Sequence, residues 1–283
     1  MVNNPGDLYI VATPIGNLGD MVPRGLEVLQ RAHWIAAEDT RHSGRLLAHF
    51  AITTPMLAYH DHSDDRQLSR ILDLLAQGQN VALITDAGTP LISDPGYRLV
   101  REARNQGGAV IPIPGCCAAI AALSAAGIPS NRFSFEGFLP ARQGQRQKAL
   151  QTLVRETRTL IFYEAPHRIL ETLEDMVTIF GAQREAVVAR ELTKSHETFL
   201  HGSVADLVVK VAADSNQQRG EIVIIVHGAV AADLDGDEQE QLRVLAILLE
   251  DLPGKQAASL AAKITGGNKK QLYQLAVDLK KSL

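Results

Sequence analysis

The chain has 283 residues, of which 46% are hydrophobic and 21% charged; this is ordinary for a globular protein, and the length suits two domains or more. The net charge of −4 argues against a uniformly basic surface for nucleic acid, but not against local basic patches. No apolar run approaches the roughly 18–20 residues of a membrane span, and the N-terminus lacks the basic and apolar regions of a signal peptide. The adjacent Cys116 and Cys117 match neither a disulfide pair nor a zinc motif. We therefore expect a cytoplasmic protein without disulfides, a structural metal or a membrane segment.

Short apolar runs predict four strands in the first part of the chain, each followed by a polar or glycine-containing loop. The runs cover residues 8–14, 33–39, 81–86 and 109–115. Segments with helical periodicity, such as 24–31 and 67–77, lie between them, which is the β-α-β rhythm of a mostly parallel sheet. Because the carboxyl ends of such strands meet at one edge of the sheet, we expect a ligand to bind there.

A second set of apolar runs follows, at 159–168, 185–194 and 220–228, with an amphipathic helix predicted at 168–180. Between the two sets, residues 125–142 have no regular periodicity and contain two glycines and two prolines. The predicted domains are therefore residues 1–128, residues 129–229 and a C-terminal remainder, 230–283.

The charge of that C-terminal remainder changes sign along its length. Residues 231–251 contain seven acids against Arg243, whereas residues 252–283 contain six lysines against Asp278. The second stretch has two apolar helical repeats separated by Gly266 and Gly267, which predicts a helix-turn-helix unit with a basic face. Nucleic-acid contact and a merely solvated helical cap are equally good interpretations of it.

The most unusual loop follows the third predicted strand and reads ITDAGTPLISDPG, residues 84–96. Neither a P-loop nor a G-x-G-x-x-G motif is present, which argues against a phosphate cradle and a Rossmann dinucleotide site. In residues 86–90, Gly88 allows the backbone to approach a ligand closely and Pro90 fixes the following turn. The simpler interpretation is a tight loop in which Ser93 or Asp94 caps the next helix.

Further motifs occur in a fixed order around this loop: TPIGNLGD at 13–20, EDTRHSGRLL at 38–47, FYEAPHR at 162–168 and ARELTK at 189–194. Together they closely resemble the tetrapyrrole-methylase superfamily, and within it the branch that 2′-O-methylates a cytidine of 16S rRNA. The resemblance covers nearly the whole chain. It implies two α/β domains with S-adenosyl-L-methionine in the cleft between them and a small C-terminal helical domain. It also implies a homodimer that acts on 16S rRNA or the small ribosomal subunit.

The resemblance carries over to particular positions. The superfamily's Gly-Asp-Pro loop falls on Gly88–Thr89–Pro90, where Thr89 replaces the acid and Asp86 is a candidate to supply the missing acceptor. Its Pro-Gly-x-Ser/Thr loop places Cys117 and Ala118 where small hydroxyl residues are common. The cofactor-binding residues implied in this way are Pro14, Asp86, Gly88, Thr89, Pro90, Cys117, Ala118, Tyr163, Glu164, Leu192 and Glu221.

Methyl transfer to a ribose hydroxyl needs an acceptor for the hydroxyl proton. Polar residues on the strand-ending loops are the candidates for this role or for holding RNA: Glu38, Asp39, Arg41 and His60, with Asp61 and His62 beside them. Arg41 suits a bidentate phosphate contact, while helix capping is the simpler interpretation of the two acids. Arg142 and the basic segment 143–148 are interpreted as a loop that contacts phosphate or is merely solvated.

Two other functions compete with RNA ribose methylation. A small-molecule methylase of the same fold, acting on a corrin-like ring, would not need the lysine-rich tail. A non-enzymatic protein that binds RNA or the ribosome would not need glycine- and proline-rich loops at several strand ends. We therefore expect the ribose methyltransferase.

Overall fold

The first sheet is entirely parallel. The computed structural model describes residues 5–60, 65–230 and 238–281. The five strands of the first sheet are β1 (Leu8–Val11), β2 (Trp34–Ala37), β3 (Met56–Ala58), β4 (Val81–Ile84) and β5 (Val110–Ile113), in the order β3-β2-β4-β1-β5. The accompanying helices are α1 (Pro23–Arg31), α2 (Thr40–His49), α3 (Asp65–Ala76), α4 (Tyr97–Asn105) and α5 (Ala118–Ala125). The predicted β-α-β alternation is confirmed.

The central strand β4 explains why this sheet forms. All four of its residues are fully buried, and they are apolar without alternation. A strand covered on both faces has this pattern, because helices pack on either side of a parallel sheet. Residues of α3 and α4 cover one face, and residues of α1 and α2 cover the other. The polar residues that follow the strands are thereby collected at one edge.

The second sheet is mixed. Its strands are β6 (Phe133–Phe138), β7 (Thr159–Glu164), β8 (Glu185–Arg190), β9 (Thr198–Ser203) and β10 (Ile222–Val226), in the order β6-β7-β10-β8-β9. Only β6 and β7 pair in parallel. The helices α6 (Gln143–Leu153), α7 (Ile169–Phe180) and α8 (Val204–Ala213) cover one face. The other face packs against α5 of the first part of the chain, so the two sheets share a core.

Three strands were not predicted. β3 has only three residues, too few for a pattern. β6 lies within residues 125–142, which the sequence indicates to be an irregular join between domains. Its register shifts between Phe135 and Gly137, and Gly137 has a φ of 66°, so the strand lacks a regular pattern. β9 is an edge strand whose residues are half-buried except for the exposed His201, and it lacks an apolar run.

The basic segment 143–148 is not a loop, and that prediction was wrong. It forms the first half of α6, and Arg146 is fully buried. The Arg146 Nε donates to Asp175 Oδ2 at 2.6 Å, and the amide groups of Gln143 and Gln147 donate to the same carboxylate. These hydrogen bonds hold the pKa of Asp175 below its usual value. The partner lies on α7, 29 residues away, so the local sequence could not reveal it.

The C-terminal helices form a small unit of their own: α9 (Glu238–Asp251), α10 (Gly254–Thr265) and α11 (Lys269–Lys281). Gly266 ends α10 in the left-handed conformation, with a φ of 73°, as its position between the two helical repeats predicts. Small residues of α10 and Leu245, Leu272 and Ala276 make its core. Of the acidic stretch 231–251, residues 231–237 lie outside the described residues.

The predicted domain limits stay a prediction. The strands of the first sheet end before residue 128, those of the second lie between 129 and 229, and the last three helices follow residue 230. None of the described helices is long and apolar enough to cross a membrane.

Candidate active site in the cleft between the two sheets

A cavity of about 450 Å³ lies where the carboxyl edge of the first sheet faces the second sheet. The loops after β1, β2, β4 and β5 supply one wall. The other wall comes from the ends of β7 and β8 and the start of β10, which meet because β10 is antiparallel to both neighbours. The residues that line the cavity, from both walls, are Ile15, Glu38, Asp86, Ala87, Gly88, Thr89, Ile92, Ser93, Asp94, Cys117, Ala118, Phe138, Tyr163, Glu164, Ala165, Pro166, Leu192, Gly220, Glu221, Ile222 and Val223.

The loop after β4 is fixed to the loop after β1. The Thr13 N–H donates to the Gly88 carbonyl at 2.8 Å, and the Gly88 N–H donates to the Thr13 carbonyl at 3.1 Å. Gly88 has a φ of 83°, which favours glycine, and its backbone borders the cavity. Leu91 and Ser93 also have positive φ, at 73° and 65°. Such strained residues cluster at functional sites.

This loop is also tied to the loop after β5. The Thr89 hydroxyl donates to the Cys116 carbonyl at 2.8 Å, so Thr89 has a structural partner on the cavity wall. Cys117 and Ala118 border the cavity, and Cys117 is the residue at which α5 begins. Burial raises the pKa of the Cys116 thiol.

Tyr163 joins the first wall to the second. Its hydroxyl accepts a hydrogen bond from the Ala119 N–H in the first turn of α5, at 3.2 Å. Its ring packs edge-on against Phe135 and Phe138. Burial raises the pKa of Tyr163 well above its usual value, so the hydroxyl stays neutral.

Glu164 borders the cavity, but its carboxylate is occupied by the protein itself. The side chain is almost fully buried, and Oε1 accepts from Arg168 Nη2 at 2.6 Å. Oε2 accepts from the Thr172 hydroxyl at 2.6 Å. A buried carboxylate with these partners supports the wall and is not free to take a ligand.

Two loops form the far end of the second wall, around Leu192 and Glu221. Glu191 Oε1 accepts from the Glu221 N–H at 2.9 Å and from Lys194 Nζ at 2.8 Å. Glu191 and Thr193 have positive φ, at 53° and 66°. Gly220, with a φ of 81°, lies against the Glu191 carboxylate, where a Cβ would stand 2.3 Å from Oε1.

The charge of the cavity wall is strongly one-sided. Glu38, Asp86, Asp94, Glu164 and Glu221 border it, whereas its lining, taken over the described residues, contains neither lysine nor arginine. Two of these acids have a cation behind the wall: Glu164 pairs with Arg168, and Glu221 Oε2 lies 3.2 Å from Lys194 Nζ. Asp86 Oδ1 accepts from the Asp39 N–H at 3.2 Å. Such a wall favours a ligand with positive charge and disfavours phosphate groups.

The four catalytic candidates separate in the structure. Glu38 borders the cavity, whereas Asp39, Arg41 and His60 are not among its lining residues. The Asp39 carboxylate caps α2 by accepting from the N–H groups of Arg41, at 2.8 Å, and His42. These hydrogen bonds lower the pKa of Asp39. Asp61 and His62 lie outside the described residues.

Most of the predicted cofactor residues lie together. Nine of the eleven border the cavity, and Pro14 and Pro90 are the two that do not. Four apolar lining residues were not predicted: Ile15, Ile92 and Val223 lie within two residues of predicted positions, and Phe138 packs against Tyr163. Neither Ser93 nor Asp94 caps the next helix, because α4 begins after Gly96 without a side-chain cap. Within the described ranges, no group of three or more metal-ligating side chains is present.

Comparison with solved structures defines the class of fold. The methyltransferase CobJ superposes with a TM-score of 0.58 at 18% identity, covering 79% of this chain and 95% of that chain. A diphthine synthase superposes with a TM-score of 0.59 at 14% identity, covering 78% of this chain and 89% of that chain. At these identities the likeness establishes the fold alone, an arrangement of two α/β sheets that these proteins share.

Comparison of sequences goes further. The family model of Tetrapyrrole (Corrin/Porphyrin) Methylases matches residues 7–208, and the RsmI C-terminal HTH domain matches residues 235–280. Ribosomal RNA small subunit methyltransferase I of Pseudomonas aeruginosa is 56% identical over 96% of this chain and 97% of its own length. The Escherichia coli O157:H7 protein of that name is 53% identical over 98% and 96%. The chain therefore belongs to the tetrapyrrole methylases and, within them, to the ribosomal RNA small subunit methyltransferase I family; it is a methyltransferase.

The loop contact at Gly220 gives a prediction about stability. Gly220→Ala should destabilise the protein in two ways. An alanine is strained at the positive φ of this position, and its Cβ would displace the Glu191 carboxylate from Glu221 and Lys194. The matched control is Gly181→Ala, which has a φ of 93° but open space around its Cβ. We expect urea unfolding to show a loss about 1–3 kcal/mol larger for Gly220→Ala. Equal losses would show that the Glu191 contacts contribute nothing.

Proposed function

We propose that the protein transfers a methyl group from S-adenosyl-L-methionine to the 2′-hydroxyl of a cytidine in 16S rRNA. The observation that carries the cofactor assignment is the acidic lining of the cleft, which contains five carboxylates and, among the described residues, neither lysine nor arginine. S-adenosyl-L-methionine has a sulfonium and an ammonium and no phosphate, so its charge complements this wall. The glycine loop at Gly88 gives room for close backbone approach on one side, and Tyr163 and Leu192 offer apolar surface for an adenosine on the other.

The assignment of an RNA substrate is supported by the relatives and the tail. The relatives at 53–56% identity are named for ribosomal RNA of the small subunit, and the match to them includes the C-terminal helix-turn-helix unit. That unit exposes Lys255, Lys263, Lys269 and Lys270. A corrin-like ring would not need this basic surface. The proposed partners are thus 16S rRNA or the small subunit, in the cytoplasm, with the protein as a homodimer.

The proposed chemistry is an in-line displacement, in which the bound sulfonium supplies the methyl group. The two walls would hold the cofactor and the ribose between them, so the protein would contribute chiefly by orientation. A neutral hydroxyl is a weak nucleophile, so an acceptor for its proton accelerates the reaction. We assign this role to Glu38, the one catalytic candidate on the cavity wall, while Asp39 holds the start of α2.

Cofactor binding should depend on Gly88. In Gly88→Val the branched side chain forces a residue with a φ of 83° out of its favoured range and adds bulk to the cavity wall. Gly107→Val is the matched control, because Gly107 has a φ of 78° and open space and does not border the cavity. Calorimetry should show at least tenfold weaker S-adenosyl-L-methionine binding for Gly88→Val alone. Unchanged affinity in folded Gly88→Val protein would contradict the loop assignment.

Activity should depend on Glu38 more than on Asp39. Glu38→Gln removes the proton acceptor and should lower kcat by about 10²–10⁴-fold with little change in cofactor affinity. Asp39→Asn keeps a good helix cap and should retain most activity. Methylation of small ribosomal subunits with methyl-labelled cofactor, followed by nucleoside mass spectrometry, measures both the rate and the site. Full activity of Glu38→Gln would assign the role elsewhere.

The lysines of the tail should bind RNA without affecting the cofactor. Changing Lys255, Lys263, Lys269 and Lys270 to Gln preserves helix propensity and removes four exposed charges. Binding to the small subunit should weaken and depend less steeply on salt, because fewer counterions are released. The control changes four exposed arginines of α1 and α4 to Gln: Arg24, Arg31, Arg101 and Arg104. If both quadruple variants behave alike, the tail has no particular role in RNA binding.

A further inference from the structure

A second cavity, of about 270 Å³, lies at the edge of the first sheet, and none of its described lining residues belongs to the cleft. The edge strand β3 and the start of β2 form its floor, and α3 lies over it. We refer to it as the α3 cavity. Met56, Leu57 and Ile71 make its apolar walls, and Trp34, Gln67 and Arg70 add aromatic, amide and cationic groups.

Trp34 is the one tryptophan of the chain, and its ring is held in place. The indole Nε1 donates to Gln79 Oε1 at 2.7 Å, so the polar group of the ring is satisfied by the protein. The ring is only half-buried and borders the α3 cavity. A fixed aromatic face next to an apolar space suits a flat ring as ligand.

Gln67 lines the same cavity, and its side chain carries an unsatisfied acceptor. Its Oε1 is buried and has no hydrogen-bond partner among the described residues. An orphaned buried acceptor costs about 1–3 kcal/mol relative to a paired one. A ligand with an N–H group would remove that cost on binding, and the amino and ring N–H groups of nucleobases are donors of this kind.

Arg70 supplies a positive charge at the entrance. Its guanidinium carbon lies 5.8 Å from the centroid of the Trp34 ring, and the side chain is exposed. Within the part of the chain that the structure describes, no carboxylate pairs with Arg70. An arginine beside an aromatic ring stacks on bases and binds phosphate in a bidentate manner.

We propose that the α3 cavity binds one unpaired nucleotide of the RNA substrate, an inference that rests on the proposed function. The base enters beside Trp34 and donates to Gln67 Oε1, and its phosphate pairs with Arg70. The combination distinguishes a nucleotide from an apolar peptide side chain, which would use neither the acceptor nor the cation. It also distinguishes a nucleotide from free phosphate, which would not need the apolar walls.

The position of the cavity fits a neighbour of the methylated nucleotide. Ala58, at one end of the α3 cavity, is level with Ala37, the residue before Glu38 in the cleft. Trp34 lies four residues before Glu38, roughly 13 Å along the strand. A base in the α3 cavity would therefore help to select and align the segment that carries the target ribose.

Trp34 makes binding directly observable, because all tryptophan fluorescence comes from this cavity. The full-length protein is titrated with hexacytidylate RNA and with a hexamer of abasic ribose phosphates, which has the same charge without bases. We expect saturable quenching by hexacytidylate and little by the abasic hexamer. Gln67→Leu should weaken binding about threefold to tenfold, and Arg70→Gln about tenfold or more. Arg104→Gln, on the exposed side of α4, is the matched control and should bind normally.

The variants also separate binding from folding. Gln67→Leu replaces an orphaned acceptor by an apolar group, so thermal unfolding should be unchanged or shifted upward while RNA binding weakens. Equal quenching by both hexamers would overturn the role of the base. The α3 cavity assignment would also be overturned if fluorescence anisotropy of labelled hexacytidylate showed RNA binding while the Trp34 fluorescence was not quenched. Calorimetry with S-adenosyl-L-methionine and methylation of small subunits test the proposed function separately; if both succeed without quenching, only the α3 cavity assignment fails.

Discussion

The packing of α5 against the second sheet is the constraint on which the rest of the structure depends. This helix follows β5 directly, and its buried residues Ala119, Ala122 and Leu123 share a core with Ile161 and Val223 of the second sheet. The small alanines let the helix lie close to the sheet. This contact sets the distance between the two walls of the cleft. The hydrogen bond from the Ala119 N–H to Tyr163 then fixes how the walls are aligned.

Given that alignment, the cleft combines rigid support with a one-sided charge. Arg168 pairs with Glu164, and Lys194 pairs with Glu191 and Glu221, so these ion pairs stabilise the loops of the second wall. Neither cation is itself among the lining residues. The strained residues Glu191 and Thr193 lie in the loop that Lys194 holds, and Leu91 and Ser93 lie in the loop that is fixed through Gly88 and Thr89. A preorganised, acidic pocket of this kind suits a cationic cofactor and a reaction that depends on positioning.

The features that we propose to contact RNA lie outside the cleft. The lysines of α10 and α11 form an exposed basic surface on a separate helical unit, and Trp34 and Arg70 lie at the edge of the first sheet. Exposed lysines provide affinity without sequence information, whereas a cavity with a fixed ring and an acceptor can discriminate bases. This separation of basic surfaces from the acidic cleft would allow a chain with net charge −4 to act on a polyanion, because the positive charges are concentrated where RNA is proposed to bind.

The sequence by itself determined the parallel sheet, the position of the strand-ending loops and the break at Gly266, because apolar runs and glycines impose these features locally. Through motifs in a fixed order it also indicated eleven cofactor-binding positions, of which nine border the cleft. The tertiary structure decided what local pattern cannot express: the irregular strand β6, the burial of Arg146 against Asp175, and the separation of Glu38 from Asp39. Each depends on partners distant in sequence or on the direction of one side chain, and neither is encoded by periodicity.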